Sequence, residues 1–184
     1  MGDIIGSPYE FDRGDKTKDF PLFCKHSRYT DDTVMTIAVA DAFLTVQPEM
    51  EDEIIRQRVV AKMQMYGRLY PYAGYGGRFR RWLRDRHPQP CNSWGNGSAM
   101  RVSAVGWLYN DLETVRRMAR LSAEVTHTPL KCFKNEMRLF PKKLHVYRKQ
   151  KRSFYVSGSL VNKRIRRLLT LFLRSNIFWT TTMC

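Results

Sequence analysis

The fold of this chain is decided by residues 30–44, which read TDDTVMTIAVADAFL. A threonine and two aspartates precede an almost wholly apolar run. Threonine and aspartate are favoured at helix N-termini, where a side-chain oxygen and a negative charge both interact well with the exposed N–H groups. The stretch therefore predicts a helix that starts beside Thr30. Because this helix is apolar on nearly every side, we expect it to be buried in the centre of the domain.

Helical patterns also occupy the sequence after this stretch. Pro48 and the acids of residues 49–53 open a second helix, with apolar residues at four-residue spacing that predict its buried stripe: Ile55, Val59 and Met63. Residues 67–98 are rich in Gly and Pro and predict a long loop region, broken by a short helical piece at residues 79–83.

Two further helices are predicted before residue 127. Residues 100–109 have apolar side chains at helical spacing, and Asp111 is a good N-cap for the last helix. One face of that last helix is predicted to hold Leu112, Val115, Ala119 and Ser122. Sustained alternation of period two is absent from the sequence, so we predict an all-α domain.

The charge and glycine content divide the chain into two parts. Its 184 residues, 43% of them hydrophobic, suit one domain with a real core. Residues 1–127 have a net charge of only +2, whereas residues 128–184 hold 14 Lys and Arg against the single acid Glu136. Ten of the eleven glycines lie in the first part. We therefore predict a domain at 1–127 and a basic tail at 128–184.

The sequence also argues against several classes of protein. Apolar runs of the roughly 18 residues that a membrane span needs are missing, and the N-terminus lacks the pattern of a secretory signal. Four cysteines stand far apart without a CxxC pair, which is typical of free thiols in a reducing compartment: Cys24, Cys91, Cys132 and Cys184. We expect a cytoplasmic protein without a membrane span, and the sequence leaves its oligomeric state open.

The adjacent acids Asp31 and Asp32 are the first candidates for chemistry. Burying two neighbouring carboxylates is costly unless a cation lies between them. Together with the Thr30 hydroxyl they offer hard oxygen ligands, which suit Mg²⁺ or Mn²⁺ better than zinc. Simple capping of the helix by these three residues stays open as the alternative.

Other candidates are weaker when each is taken alone. The loop of residues 95–101 runs into a helix and its backbone N–H groups can face a phosphate; residues 75–79 have the same character. Glu10 reads as an ordinary exposed acid after a turn at residues 2–6. His127 ends a helix and reads as a partner of the helix dipole.

Taken together, five segments in order resemble the ADP-ribosylglycohydrolase family, which includes the dinitrogenase-reductase-activating glycohydrolase. The resemblance covers residues 2–127 and rests on residues 2–11 (GDIIGSPYEF), 29–33 (YTDDT), 74–79 (GYGGRF), 95–101 (GNGSAMR) and 121–127 (LSAEVTH). It implies an all-α fold with a two-metal Mg²⁺ or Mn²⁺ centre. It also implies hydrolysis of the bond between C1 of the distal ribose of ADP-ribose and an acceptor.

The resemblance implies roles for individual residues. Thr30, Asp31 and Asp32 match the N-terminal metal ligands, and catalysis falls to Glu10 and Asp32. The remaining matches line the cleft for the substrate, which is ADP-ribose or an ADP-ribosylated protein: Gly76, Gly77, Gly95, Asn96, Gly97, Ser98, Met100 and His127.

The chain departs from the family pattern after residue 127. The family carries its second set of metal ligands as Asp-x-Asp-Ser/Thr after a Gly-Gly turn, whereas this sequence has no Asp beyond Asp111. We expect the residues present to hold one ion poorly and two not at all. The chain is therefore interpreted as a truncated family domain that is inactive or nearly so, with a non-catalytic ADP-ribose-binding protein as the alternative.

Three interpretations of the basic tail stay open. The favoured one is translation in a wrong reading frame, since losing one base from codons for Thr-His-Thr-His-Pro-Glu-Val-Leu yields the sequence at 126–132. The second is a genuine module, in which the helix-like residues 163–169 and nearby aromatic side chains bind nucleic acid or an anionic membrane surface. The third is a solvated structural extension.

Overall fold

The computed structural model describes residues 1–11, 19–47, 49–92 and 95–128 of the chain. These residues form seven α-helices and a 3₁₀ turn, without a β-strand among them, so the all-α prediction is confirmed. The elements are α1 (Gly2–Gly6), the 3₁₀ turn (Ser7–Tyr9), α2 (Asp31–Phe43), α3 (Asp52–Leu69), α4 (Gly77–Trp82), α5 (Gly97–Met100), α6 (Ser103–Leu108) and α7 (Leu112–Glu124). Beyond Thr128 the predicted basic tail lies outside the described residues, as does Pro48.

Helix α2 is the central element of the domain. It begins at Asp31 with Thr30 as its N-cap, as the sequence predicts. Its buried side chains are Val34, Met35, Ala38, Val39, Ala40, Ala42 and Phe43. They point in several directions around the axis because α3 packs on one side of α2 and α6 on another.

Helix α3 confirms the predicted stripe and extends beyond its predicted end. Ile55, Val59 and Met63 are fully buried. The helix continues through Leu69, so the prediction of a loop from residue 67 is wrong for its first three residues. Gly67 lies within this extension and lets the Leu83 side chain approach the helix closely.

The predicted helix at residues 100–109 is shorter in the structure, where α6 spans Ser103–Leu108. α5 ends at Met100 and α6 starts at Ser103. Between them Arg101 turns inward and is only 1% exposed. Its guanidinium bonds to the Gly97 and Ser122 carbonyl oxygens and to the Thr126 hydroxyl. The turn predicted at residues 2–6 is likewise wrong, because those residues form α1.

Helix α7 follows its predicted cap. The Asp111 carboxylate accepts a hydrogen bond from the Thr114 N–H at 2.7 Å. Val115 and Ser122 lie on the buried face as expected, whereas Leu112 is 38% exposed and does not belong to that face. The first turn of the helix extends past the edge of the core, which explains the difference.

Ion pairs connect α3 with α7 at the surface. Asp52 at the start of α3 lies 2.6 Å from the Arg117 guanidinium and 3.1 Å from that of Arg120. One turn further along α3, Arg56 pairs with Glu124 at 3.1 Å. Exposed pairs such as these contribute little individually, so burial of apolar side chains remains the main source of stability.

Two findings bear on the excluded classes. Cys24 and Cys91 are free thiols in the part of the chain that the structure describes. Among the described helices, none has both the length and the apolar character that crossing a bilayer requires.

The contact of Gly67 with Leu83 gives a stability prediction. A Cβ at residue 67 would lie 2.7 and 2.8 Å from the two Leu83 methyl carbons, and Leu83 is buried. We expect Gly67→Ala to lower the free energy of unfolding by about 1–3 kcal/mol, because overpacking outweighs the better helix propensity of alanine. The measurement is urea denaturation followed by circular dichroism.

The matched control is Gly106→Ala in α6, where an added Cβ meets no atom within 4 Å. This variant is expected to be neutral or to gain up to about 1 kcal/mol from helix propensity. Equal stability of the two variants would contradict the packing argument.

Candidate functional site

The Asp3 carboxylate joins α1 to the N-terminus of α2. It accepts hydrogen bonds from the backbone N–H groups of Thr30 at 2.8 Å and Thr33 at 3.2 Å. The hydroxyls of the same two threonines also donate to it, each at 2.5 Å. Burial alone would raise the pKa of Asp3, but these hydrogen bonds outweigh it and hold the pKa below the usual range. Asp3 is a residue whose role the sequence did not reveal.

Asp31 and Asp32 lie in an acidic cluster at the first turn of α2. Burial, together with the nearby charges of Asp32, Glu10 and Asp3, raises the pKa of Asp31 to about 6. Burial also raises the pKa of Asp32, and Asp3 and Glu10 add to the effect. Glu10 itself is exposed and directly follows the 3₁₀ turn. The structure therefore places Glu10 and Asp32, which are both predicted to be catalytic, close enough for their charges to interact.

The cluster fits a divalent cation in part. Its donors are hard oxygens, and a cation would stabilise the ionised form of Asp31, which burial and the neighbouring carboxylates disfavour. The Thr30 hydroxyl, however, already donates to Asp3 and accepts a 3.4 Å hydrogen bond from the Asp32 N–H. Within the described ranges, three or more His, Cys, Asp or Glu side chains are nowhere grouped so that they could hold a metal ion. Asp31 and Asp32 thus offer a partial ligand set.

The glycine segment before α4 lies against this cluster. Gly74 has a φ of +96°, and a Cβ on it would lie 3.9 Å from the Asp31 carboxylate oxygen Oδ1. Gly76 is the N-cap of α4 and Gly77 its first residue. A side chain at either of these two positions would meet open space. Gly76 and Gly77, which are predicted to line the cleft, are therefore exposed. They follow closely after Gly74, which lies near Asp31.

Tyr75 is a second residue to which the sequence assigned no role. Its ring is 3% exposed, and its hydroxyl is buried without a hydrogen-bond partner among the described residues. Burial first, then the nearby charge of Asp31, raises the pKa of Tyr75. A buried phenol beside a carboxylate cluster is a candidate donor to a bound ligand. An aromatic residue in a Gly-rich loop gave no sign of this in the sequence.

The loop at residues 95–100 meets α2 one turn after the acids. The Thr36 hydroxyl bonds to the Asp32 carbonyl oxygen at 2.6 Å and to the Met100 carbonyl oxygen at 3.3 Å. Ser98 is buried, whereas Gly95 and Asn96 are exposed. The predicted cleft residues of this loop therefore lie on the same end of α2 as the acidic cluster.

His127 lies on the other side of that loop. It is 6% exposed, and a Cβ on Gly97 would lie 3.9 Å from the His127 ring carbon Cε1. The buried Arg101 guanidinium lies next to it and bonds to the Gly97 carbonyl oxygen at 2.8 Å. The structure thus places His127 against the predicted substrate loop. Arg101 stands in the same motif, but the sequence gave no sign that its charge would be buried.

A surface groove of about 720 Å³ lies elsewhere, between α3, residues 86–90 and the end of α7. Its lining includes none of the predicted site residues. The Arg56–Glu124 ion pair forms part of its wall. We therefore place the candidate site at the N-terminus of α2 and not in this groove.

Comparison with known proteins identifies relatives of this chain. A family model described as ADP-ribosylglycohydrolase matches residues 1–135. Mouse ADP-ribosylhydrolase ARH3 is 36% identical over 114 residues, which cover 54% of this chain and 29% of that protein. The human protein of the same name is 30% identical over 159 residues, which cover 69% of this chain and 42% of that protein. The chain therefore spans less than half the length of these curated relatives.

The four hydrogen bonds of Asp3 predict that this residue stabilises the folded chain at the start of α2. Asp3→Ala removes the acceptor for two N–H groups and two hydroxyls, so we expect the free energy of unfolding to fall by about 2 kcal/mol. Asp111→Ala, which removes a cap with one hydrogen bond to Thr114, is the control and should cost only about 1 kcal/mol. Chemical denaturation measures both, and an Asp3→Ala variant no weaker than the Asp111→Ala variant would contradict this assignment.

Proposed function

Because this chain belongs to the ADP-ribosylglycohydrolase family, we propose that its candidate site binds an ADP-ribosyl group for hydrolysis of the linkage to an acceptor. One observation carries the proposal. The five matched segments are distant in sequence, yet four of them meet at the N-terminal half of α2 through Asp3, Asp31, Gly74 and Met100. His127 of the fifth segment borders Gly97 in the fourth. The names of the mouse and human relatives point to the same chemistry.

In this proposal Asp31 and Asp32, with Thr30 beside them, hold a Mg²⁺ or Mn²⁺ ion. The raised pKa of Asp31 supports the assignment, because burial and then the neighbouring carboxylate charges both disfavour its ionised form, which a cation would stabilise. A bound cation supplies Lewis-acid chemistry, which orients ribose hydroxyls and lowers the pKa of a coordinated water. The carboxylates of this chain would hold the ion while Asp3 fixes the backbone that carries them.

The loops on either side supply the contacts to the ligand. Gly76, Gly77, Gly95 and Asn96 present exposed backbone, which permits close approach of a diphosphate. The Tyr75 hydroxyl, buried beside Asp31, would donate to a ribose oxygen. His127 contacts the same loop from the opposite side and would bind the ligand's oxygens there.

Proton transfer falls to the carboxylates of the cluster. Glu10 is exposed next to Asp31 and Asp32, so a proton can pass between it and solvent. Asp32 would remain ionised while it holds the cation and can accept a hydrogen bond from the attacking water. The water oxygen would bond to C1 as the bond from C1 to the acceptor breaks. One water proton would pass to a carboxylate of the cluster and the acceptor would leave with a proton, which gives free ADP-ribose.

We further propose that this chain alone turns over slowly. The sequence has no Asp after Asp111. The ligands proposed above are the Asp31 and Asp32 carboxylates with the Thr30 hydroxyl, which is a small set for two metal ions. A second candidate function follows from the same observation, namely binding of ADP-ribose without hydrolysis. Binding of nucleic acid through residues 128–184 stays a prediction, since nearly all of those residues lie outside the described structure.

Binding of ADP-ribose tests the site. Isothermal titration of the 184-residue chain with ADP-ribose is expected to show saturable binding that Mg²⁺ strengthens about tenfold, or about 1.4 kcal/mol. The Asp31→Asn, Asp32→Asn double variant should lose this Mg²⁺ effect because both proposed ligands lose their charge. Two results would contradict the proposal: no binding of ADP-ribose, or binding that is unchanged both in the double variant and after a chelator removes Mg²⁺.

The control for this experiment is Asp41→Asn, the same change on the same helix. Asp41 pairs with Lys62 at 2.7 Å towards the opposite end of α2. Its loss should leave the Mg²⁺ effect intact. Equal loss in both variants would show that general destabilisation, and not ligation, causes the effect.

Turnover separates the two candidate functions. With Mg²⁺ present, we expect release of ADP-ribose from an ADP-ribosylated protein to remain near the background without enzyme. The measurement is chromatography of the free nucleotide over several hours. Appreciable release, absent from the Asp31→Asn, Asp32→Asn variant, would show that this chain is itself a hydrolase and would overturn the prediction of slow turnover.

A further inference from the structure

We propose that Arg101 and Thr126 are positioning residues that fix His127 in the tautomer with its ring proton on Nε2. His127 is then a hydrogen-bond donor at the side of the candidate site formed by Gly97. That the donor serves an oxygen of the ADP-ribosyl group rests on the function proposed above. The tautomer itself follows from hydrogen bonds within the chain.

Arg101 is the fixed point of this arrangement. Its side chain is 1% exposed. Nη1 donates to the Gly97 carbonyl oxygen at 2.8 Å, and Nη2 donates to the Ser122 carbonyl oxygen at 2.8 Å and to the Thr126 hydroxyl at 2.7 Å. One planar guanidinium thus joins the substrate loop to the end of α7. A lysine has a single nitrogen and cannot span these acceptors in the same geometry.

The proton of the Thr126 hydroxyl has two possible acceptors. The His127 ring nitrogen Nδ1 lies at 2.8 Å and the Ala123 carbonyl oxygen at 3.4 Å. That carbonyl oxygen already accepts the backbone N–H groups of Thr126 at 3.1 Å and His127 at 3.0 Å. Since a carbonyl oxygen has two lone pairs, the shorter contact with Nδ1 receives the hydroxyl proton.

The charge of Arg101 favours the same direction. An oxygen that accepts a hydrogen bond from a cation becomes a better donor through its own proton, because bonds in a chain polarise one another. Thr126 therefore accepts from Arg101 and donates to Nδ1. With Nδ1 acting as an acceptor, the ring proton is on Nε2.

The location of the ring gives this proton a use. Cε1, the carbon between the two ring nitrogens, lies 3.9 Å from where a Cβ on Gly97 would be. The Arg101 guanidinium nitrogen Nη1 lies 3.8 Å from the same point. The His127 ring and the Arg101 guanidinium therefore both border Gly97, in the segment that we assign to the ligand.

The test is long-range ¹H–¹⁵N correlation NMR on the labelled 184-residue chain. The chain has four histidines, and the signals lost in a His127→Gln variant assign the ring. We expect His127 Nδ1 to resonate as a non-protonated nitrogen and Nε2 as a protonated one. Thr126→Val, which removes the hydroxyl at nearly constant shape, should move the two resonances toward each other.

Conservative and matched variants separate positioning from a general structural effect. Thr126→Ser restores the hydroxyl and should restore the native tautomer. Thr45→Val makes the same change at a hydroxyl that bonds to the Ala42 carbonyl oxygen at 2.8 Å, away from this network, and should leave His127 unchanged. ADP-ribose titration should show a loss of about threefold to tenfold in Thr126→Val and less than about twofold in Thr126→Ser.

Two results would overturn the inference: a ring proton on Nδ1 in the native chain, or a tautomer that Thr126→Val leaves unchanged. The expected tautomers without any ADP-ribose binding would have a different meaning. In that case the role of Arg101 and Thr126 stands, and it is the proposed function that fails.

Discussion

The arrangement of this site depends on the Asp3 carboxylate. By accepting two N–H groups and two hydroxyls at the start of α2, it satisfies backbone donors that a helix N-terminus leaves without partners. Thr30 is the N-cap of α2, and the Asp3 carboxylate from α1 accepts further hydrogen bonds from the same turn. The cap therefore does not depend on the carboxylates of Asp31 and Asp32. The carboxylates of Asp31 and Asp32 are then available to bind a cation.

Asp3 and the neighbouring Asp31 and Asp32 therefore have different roles at the start of α2. Hydrogen bonds hold the pKa of Asp3 below its usual range, whereas burial and the neighbouring charges raise the pKa of Asp31. The surrounding loops complete the arrangement, with Gly74 against Asp31 and Met100 held by Thr36. On the far side the Arg101 guanidinium bonds to the same loop that contains Gly97. Hydrogen bonds and charged groups thus connect the N-terminal half of α2 to the loops around it.

The sequence predicted the long elements well because their signals are local. The cap at Thr30, the stripe of α3 and the Asp111 cap each lie within a few neighbouring residues and are all present in the structure. The candidate acids were named correctly as residues at the mouth of a buried helix. Asp3 was missed because its partners are 27 and 30 residues away. Arg101 was missed because a charged residue inside an apolar pattern is ordinarily exposed, whereas here distant carbonyl groups surround it.

The close approach of Leu83 to Gly67 has a consequence for the segment between α3 and α4. The contact joins the last turn of α3 to the residue that follows α4. The residues between them, including α4, therefore form a loop whose two ends are held together. Closing such a loop costs conformational entropy that grows only slowly with length, and burial of Leu83 meets that cost in the core. Gly74 and Tyr75 lie inside this closed loop. Packing of Leu83 against Gly67 therefore holds the ends of the segment that brings Gly74 and Tyr75 close to Asp31.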